Sequence, residues 1–196
     1  MFIDVAIPSG NEEEFIERAK KLGTNGIIFL YEKDKKENVE KVKKLNSKDF
    51  QVYSAILVKD KVSKKKYDFI FSKGSRAHFE NKNIDVIFGL EEQFKKDNYH
   101  YRNSGLNHVL CVLAKEKKII IAFSFNSVLN AKDKGLILGR MMQNVKLCKK
   151  YKVKTMIASF ARKPSESRFW KDLISFGVVL GINPKEAKEA VLNRKV

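Results

Sequence analysis

Seven short apolar runs, each separated from the next by an amphipathic or basic stretch, limit what this chain can fold into. They are Phe2–Ile7, Gly26–Tyr31, Gln51–Val58, Tyr67–Phe71, Ile84–Phe88, Lys118–Phe125 and Lys154–Phe160. Gly26-Ile27-Ile28-Phe29-Leu30-Tyr31 is apolar almost throughout, which marks a strand covered on both faces. Apolar residues recur at helical spacing between the runs: Phe15, Ile16, Ala19 and Leu22; Val39, Val42 and Leu45; Leu138, Met141, Met142, Val145 and Cys148; Phe169, Leu173 and Phe176. Start and stop residues agree with this reading. Asn11 with Glu14 predicts a capping-box start, Asn130 and Asp133 start the longest helix at about 131–150, Ser104 and Ser165 predict N-caps, and Gly23 and Gly177 predict helix ends. Pro184 opens the last helix at its first position.

Strands alternating with helices predict an α/β chain with a parallel sheet. A doubly wound sheet and a (β/α) barrel both fit. Pro8-Ser9-Gly10-Asn11 stands where a dinucleotide site would carry its glycine-rich fingerprint, so the expectation is an irregular TIM-like (β/α) barrel of about seven parallel strands. The basic stretch at 59–66 is shorter than the roughly twelve residues of a helical crossover. One crossover helix is therefore expected to be missing there, with a basic loop in its place. The length, 196 residues, suits a single domain over 1–196.

Charge narrows the function. Forty basic residues against 23 acidic give a net +17, an excess that points to a polyanionic partner, most often nucleic acid. No apolar run has the length of a membrane span and no signal peptide is visible at the first residues, so a cytoplasmic protein without a membrane partner is expected. Cys111 and Cys148, both on helical patterns, read as buried thiols in a reducing compartment.

Arginine is scarce, seven residues against 33 lysines, and unevenly placed. Arg76, Arg102, Arg162 and Arg168 all fall in segments that follow strand C-terminal ends, where barrels and doubly wound sheets gather function. Arg engages phosphate through a planar fork and Lys as a point charge, so an arginine rim within a diffuse lysine field is expected. Tyr101-Arg102-Asn103-Ser104-Gly105-Leu106-Asn107-His108 sits at the start of a helix, whose free amides favour an anion. Leu106, Leu110 and Leu113 would anchor that helix start, and Tyr99, Tyr101, Phe125 and Phe160 lie near the same rim.

Catalytic chemistry finds little support. His78, His100 and His108 have no metal-ligand spacing, nothing pairs a Ser or Cys with a His and an acid, and Glu91-Glu92 at a strand end could touch a metal, although adjacent acids more often just face solvent.

The run Arg102-Asn103-Ser104-Gly105-Leu106-Asn107-His108-Val109-Leu110 resembles the signature of the archaeal ribonuclease P protein component 3 family, related to the thirty-kilodalton eukaryotic subunit. The similarity continues in Phe79-Glu80-Asn81-Lys82, Asp85-Val86-Ile87, Leu138-Gly139-Arg140-Met141-Met142-Gln143-Asn144, Ala158-Ser159-Phe160-Ala161 and Pro164 to Gly181. It implies a barrel related to the PHP metal-dependent phosphoesterases. It also implies a subunit of ribonuclease P, which removes the 5′ leader from precursor tRNA with an active site made of RNA. The implied partners are the ribonuclease P RNA, precursor tRNA, protein component 2 and further protein subunits. Mg2+ would serve the RNA, with no cofactor on the protein. The paired histidine ligands that PHP enzymes carry in strand one are absent from Phe2-Ile3-Asp4-Val5-Ala6, so the isolated protein is expected to be non-catalytic. Charge, rim position and resemblance together predict RNA contacts from Arg76, Arg102, Asn103, Ser104, Asn107, His108, Arg140, Arg162, Lys163 and Arg168. Two other readings are a metal-dependent phosphoesterase on the same barrel and a purely protein-binding scaffold.

Overall fold

The computed structural model describes residues 2–58 and 66–192. In chain order the elements are β1 (Ile3–Ala6), α1 (Glu12–Lys21), β2 (Gly26–Tyr31), α2 (Lys36–Leu45), β3 (Gln51–Val58), β4 (Phe69–Ser72), α3 (Arg76–Glu80), β5 (Val86–Phe88), α4 (His108–Lys117), β6 (Ile120–Ser124), α5 (Phe125–Leu129), α6 (Lys134–Tyr151), β7 (Thr155–Ala158), α7 (Trp170–Val179) and α8 (Pro184–Leu192). The strands pair in sequence order from β1 to β7, every neighbour parallel. This is the expected TIM-like α/β barrel with seven strands. The basic stretch 59–66 between β3 and β4, where a crossover helix was expected to be missing, lies outside the described residues except for Lys66.

Each strand buries both faces, which is why its sequence is apolar without alternation. One set of side chains fills the barrel, including Ile3, Val5, Ile28, Leu30, Ala55, Phe71, Val86, Phe88, Ala122, Met156, Ala158 and Phe160. The other set, with Phe29, Ile70, Ile87, Ile121 and Ile157, meets the helices through Phe15, Ala19, Val42, Met141, Val145, Leu173 and Phe176. At the end where the strands finish, Phe71, Phe88 and Phe160 plug the interior. Phe88 stacks on Phe160 at 4.7 Å between centroids, and Phe71 meets each edge-on at 6.2 Å. Phe160 reaches this position from a left-handed backbone, φ 51°, a conformation that is strained for an aromatic residue.

The barrel closes where β1 meets the end of β7. Ala6 and Ala161 form one parallel bridge, and the Ile7 amide donates to the Ala161 carbonyl at 2.8 Å. Beneath it the buried Asp4 carboxylate accepts the Ser159 amide at 2.7 Å, the Ser159 hydroxyl, and the Val5 amide at 2.9 Å. Burial raises the Asp4 carboxyl above its ordinary range, and these hydrogen bonds pull it partly back.

Several helix boundaries differ from expectation. Ser104 is not an N-cap: the cap of α4 is Asn107, whose Oδ1 accepts the Leu110 amide at 2.9 Å. Asn11 precedes α1 but turns its side chain back to the Ser9 amide. Ser165 lies in a 3-10 turn, Pro164–Glu166, well before α7. Gly177 does not end α7. It is buried within it, where a Cβ would come 2.4 Å from Ile157 Cδ1, so the helix needs glycine there to lie close to the sheet. The longest helix, expected over about 131–150 from Asn130 and Asp133, starts three residues later: Asp133 caps α6, accepting the Leu136 amide at 2.9 Å, while Asn130 ends α5.

Asp4→Ala would leave the buried Val5 and Ser159 amides without this acceptor, the Ser159 hydroxyl keeping only the Val5 carbonyl at 3.3 Å, at a cost of about 3 kcal/mol. Chemical denaturation should show that loss, with a smaller one for Asp4→Asn; an unchanged midpoint in the Ala variant would mean the seam does not hold the barrel closed.

Candidate nucleic-acid interface

Because every strand is parallel, the segments leaving their C-terminal ends collect on one face of the barrel. The largest is the connection from β5 to α4, residues 89–107. It begins with a 3-10 turn, Leu90–Glu92, and near its end passes Gly105, whose φ is +77° and where a Cβ would lie 2.3 Å from the Leu90 carbonyl oxygen. Only glycine lets the two ends of the connection touch.

Arg140 of α6 organises the segment from within. It is wholly buried. Its Nε donates to Asp97 Oδ1 at 2.8 Å, and its Nη1 donates to the carbonyls of Glu91 at 2.8 Å and Phe94 at 2.6 Å. Asn144, one turn further along α6, donates from Nδ2 to Glu91 Oε1 and to the Ser104 carbonyl, both at 2.8 Å. For Asp97 the desolvation is outweighed by the Arg140 hydrogen bond, the Asn103 amide and the charges of Arg140 and Arg102, which hold its carboxyl below the usual range. Arg140 was expected at the RNA surface. It is instead an internal clamp, because its buried guanidinium finds its partners in the carbonyls of Glu91 and Phe94 and in the partly exposed Asp97 carboxylate.

Two neighbours follow it inward. Ser104 is buried, its hydroxyl turned to the Leu106 carbonyl, so the expected RNA contact of its side chain is withdrawn as well. Asn103 spends its side chain inside the loop, donating to the Lys96 carbonyl at 2.9 Å and accepting from Asn98 at 3.0 Å, while its amide donates to Asp97. Its part is to shape the loop. Asn107 caps α4, which leaves the amides of His108 and Val109 as free donors of the first turn beside an exposed His108 ring. Leu106 is buried, and Leu110 and Leu113 pack against the core, as the anchoring role required.

The remaining expected contacts stay outside. Arg102 lies over Gly139, its Nη1 donating to the Gly139 carbonyl at 3.0 Å, and a Cβ on Gly139 would come 3.0 Å from its Cζ. Arg76 pairs with Glu80 at 3.1 Å and Arg162 with Glu32 at 2.6 Å, both pairs exposed. Such pairs contribute little and exchange readily for phosphate. Arg168 sits over the Phe125 ring at 5.3 Å and donates to the Ser165 and Ser167 carbonyls. Lys163 is exposed, and its amide and that of Arg162 both donate to Glu166. The four arginines share one end of the barrel, each on its own support. At the tip of the connection Tyr99 is 97% exposed and Tyr101 65%, over a turn closed by the Asn98 amide on the Tyr101 carbonyl at 3.0 Å.

A parallel α/β barrel with an arginine- and tyrosine-bearing loop end and a net charge of +17 is built to bind a polyanion. Among the described residues no three of His, Cys, Asp or Glu come together as metal ligands would. The family model for RNase P subunit p30 matches residues 70–195, and the chain belongs to that family. Ribonuclease P protein component 3 of Methanocaldococcus jannaschii is 30% identical over 198 residues, covering 91% of this chain and 82% of the relative. The same component from Methanosarcina barkeri is 26% identical, over 95% and 82%. Among solved structures, a chain in the cryo-EM structure of archaeal ribonuclease P with mature tRNA superposes with a TM-score of 0.79 at 28% identity, over 96% of this chain and 86% of that one. A histidinol phosphate phosphatase from Lactococcus lactis, solved with zinc, L-histidinol and phosphate, shares the fold at TM-score 0.59 and 9% identity, over 96% and 93%.

Two outcomes follow from the clamp. Arg140→Met is expected to cost about 3 kcal/mol, since it removes three hydrogen bonds and leaves the buried Glu91 carbonyl without its donor, and limited proteolysis should then cut within 94–103. Glu91 supplies a pH dependence: burial raises its carboxyl from 4.5 to about 7, against the Asn144 hydrogen bond. A carboxyl that holds its proton more tightly in the folded state favours folding while protonated. Stability should therefore decline as pH rises from about 4.5 to about 7 and level off above, by on the order of 3 kcal/mol. Glu91→Gln should remove that slope in denaturation curves taken across the range.

Proposed function

We propose that this protein is an RNA-binding subunit of ribonuclease P that assists 5′ leader removal from precursor tRNA while the RNA performs the chemistry. The observation that carries the reading is the placement of Arg76, Arg102, Arg162 and Arg168 on one end of a barrel that superposes on a chain of archaeal ribonuclease P. The physical role is electrostatic. Lysines supply most of the phosphate neutralisation, and the arginines, held at fixed positions, supply register. Arg102, pinned by Gly139 beside the open first turn of α4, is the contact with the best-defined geometry. Fewer Mg2+ ions are then needed for the RNA to fold, the Mg2+ belonging to the RNA and not to this chain. Protein component 2 is the proposed protein partner, alongside the other subunits. Two buried free cysteines suit a reducing compartment such as the cytoplasm.

Reconstitution of the holoenzyme with and without this subunit tests the reading: cleavage of precursor tRNA should persist at lower Mg2+ when it is present. Arg102→Ala with Arg76→Ala should weaken RNA binding and lower the slope of log affinity against log salt by about one per lost phosphate contact. A holoenzyme that gains nothing from the subunit defeats the proposal.

A further inference from the structure

The mouth of the barrel holds a cavity of about 530 Å3 that the arginine rim does not account for. Its volume lies in the range of small-molecule sites. The floor is apolar, made by the stacked Phe88 and Phe160. At its lip stands Phe94, 47% exposed although it lies in a clamped segment. The cations on the wall outnumber the carboxylates: Lys73, Lys95, Lys132, Arg140 and Arg162 against Glu92 and Asp133. Of these, Lys73 is committed to Glu92 and Arg162 to Glu32, whereas Lys95 and Lys132 are exposed and in no ion pair among the described residues. The clamp itself contributes the most telling atom. Arg140 Nη2, on a side chain with no exposure, has no hydrogen-bond acceptor although its Nε and Nη1 make three bonds. A buried guanidinium N–H without a partner is costly, and here the residue that carries it lines the cavity.

From this arrangement we infer that the barrel mouth is a pocket for one nucleoside phosphate. The base lies against the Phe94 ring, and the phosphate sits between Lys95 and Lys132, with the charge of the buried Arg140 clamp behind them. An aromatic face takes any base, so the pocket is not selective by sequence. The cations match a phosphate and not a neutral sugar or an apolar ligand. The ligand is a nucleotide unit, either within an unpaired RNA strand or free.

The full chain titrated by calorimetry with a nucleoside 5′-monophosphate, with inorganic phosphate and with a short single-stranded oligoribonucleotide provides the test. The monophosphate is expected to saturate one site and to bind more tightly than phosphate. Lys95→Ala with Lys132→Ala should weaken it about tenfold. Phe94→Ala should weaken it about fivefold while leaving phosphate binding unchanged. Lys115→Ala with Lys117→Ala, at the far end of α4, should change nothing at this site. A much tighter oligonucleotide, equally sensitive to the Lys95 and Lys132 changes, assigns the unit to an RNA strand; equal affinities assign it to a free nucleotide. Absence of saturable binding, or binding indifferent to Lys95 and Lys132, or phosphate bound as tightly as the nucleotide, overturns the inference. The ribonuclease P reading fails separately, in the reconstitution assay.

Discussion

A guanidinium without exposure is the interaction on which the functional end of this molecule depends. The 89–107 connection has few apolar side chains with which to fold, and an irregular segment of that length carries backbone groups that need partners. Arg140 provides them from outside the segment. One side chain ties Asp97 and the carbonyls of Glu91 and Phe94 to α6, and Asn144 extends the tie to Ser104. The exposed Arg102, His108, Tyr99 and Tyr101 then stand on a surface whose shape is set from below. A charged residue serves here as a structural core.

That arrangement separates two tasks that many barrel enzymes combine at one site. Inside the mouth Phe71, Phe88 and Phe160 fill space, and the histidines lie elsewhere. His78 is buried beside Ser72, where its Nδ1 accepts the Ser75 amide at 3.2 Å and meets the Ser72 hydroxyl at 2.6 Å. Around the mouth, long cationic side chains face outward on short exposed ion pairs. Exposed pairs of this kind yield to a competing anion at little cost.

Much of the fold was legible because burial on both faces imposes an unmistakable run of apolar residues; Ile27-Ile28-Phe29-Leu30 could scarcely be anything but an inner strand. The rim was legible because parallel strands send every following loop to the same end. What misled was the assumption that charge means surface. Arg140 and Asn144 lie on the same helical stripe as Ile137, Met141 and Cys148, and that spacing was the available sign that both point inward. Ser104 misled for a different reason. Ser, Asn and Gly beside one another offer rival caps, and the choice of Asn107 follows from Gly105 and the Ser104 carbonyl being drawn towards Leu90 and Asn144, a tertiary constraint with no local trace.

The seam between Asp4 and Ser159 joins residues 155 positions apart. All other strand pairings can form as each new strand arrives, but this one waits for nearly the whole chain to be made. Until then β1 is an open edge with its hydrogen-bonding groups exposed, the kind of template on which other chains add strands. Synthesis of this protein therefore passes through a long interval as an unfinished sheet, and a product cut short before β7 would be a sheet with two sticky borders, prone to aggregate.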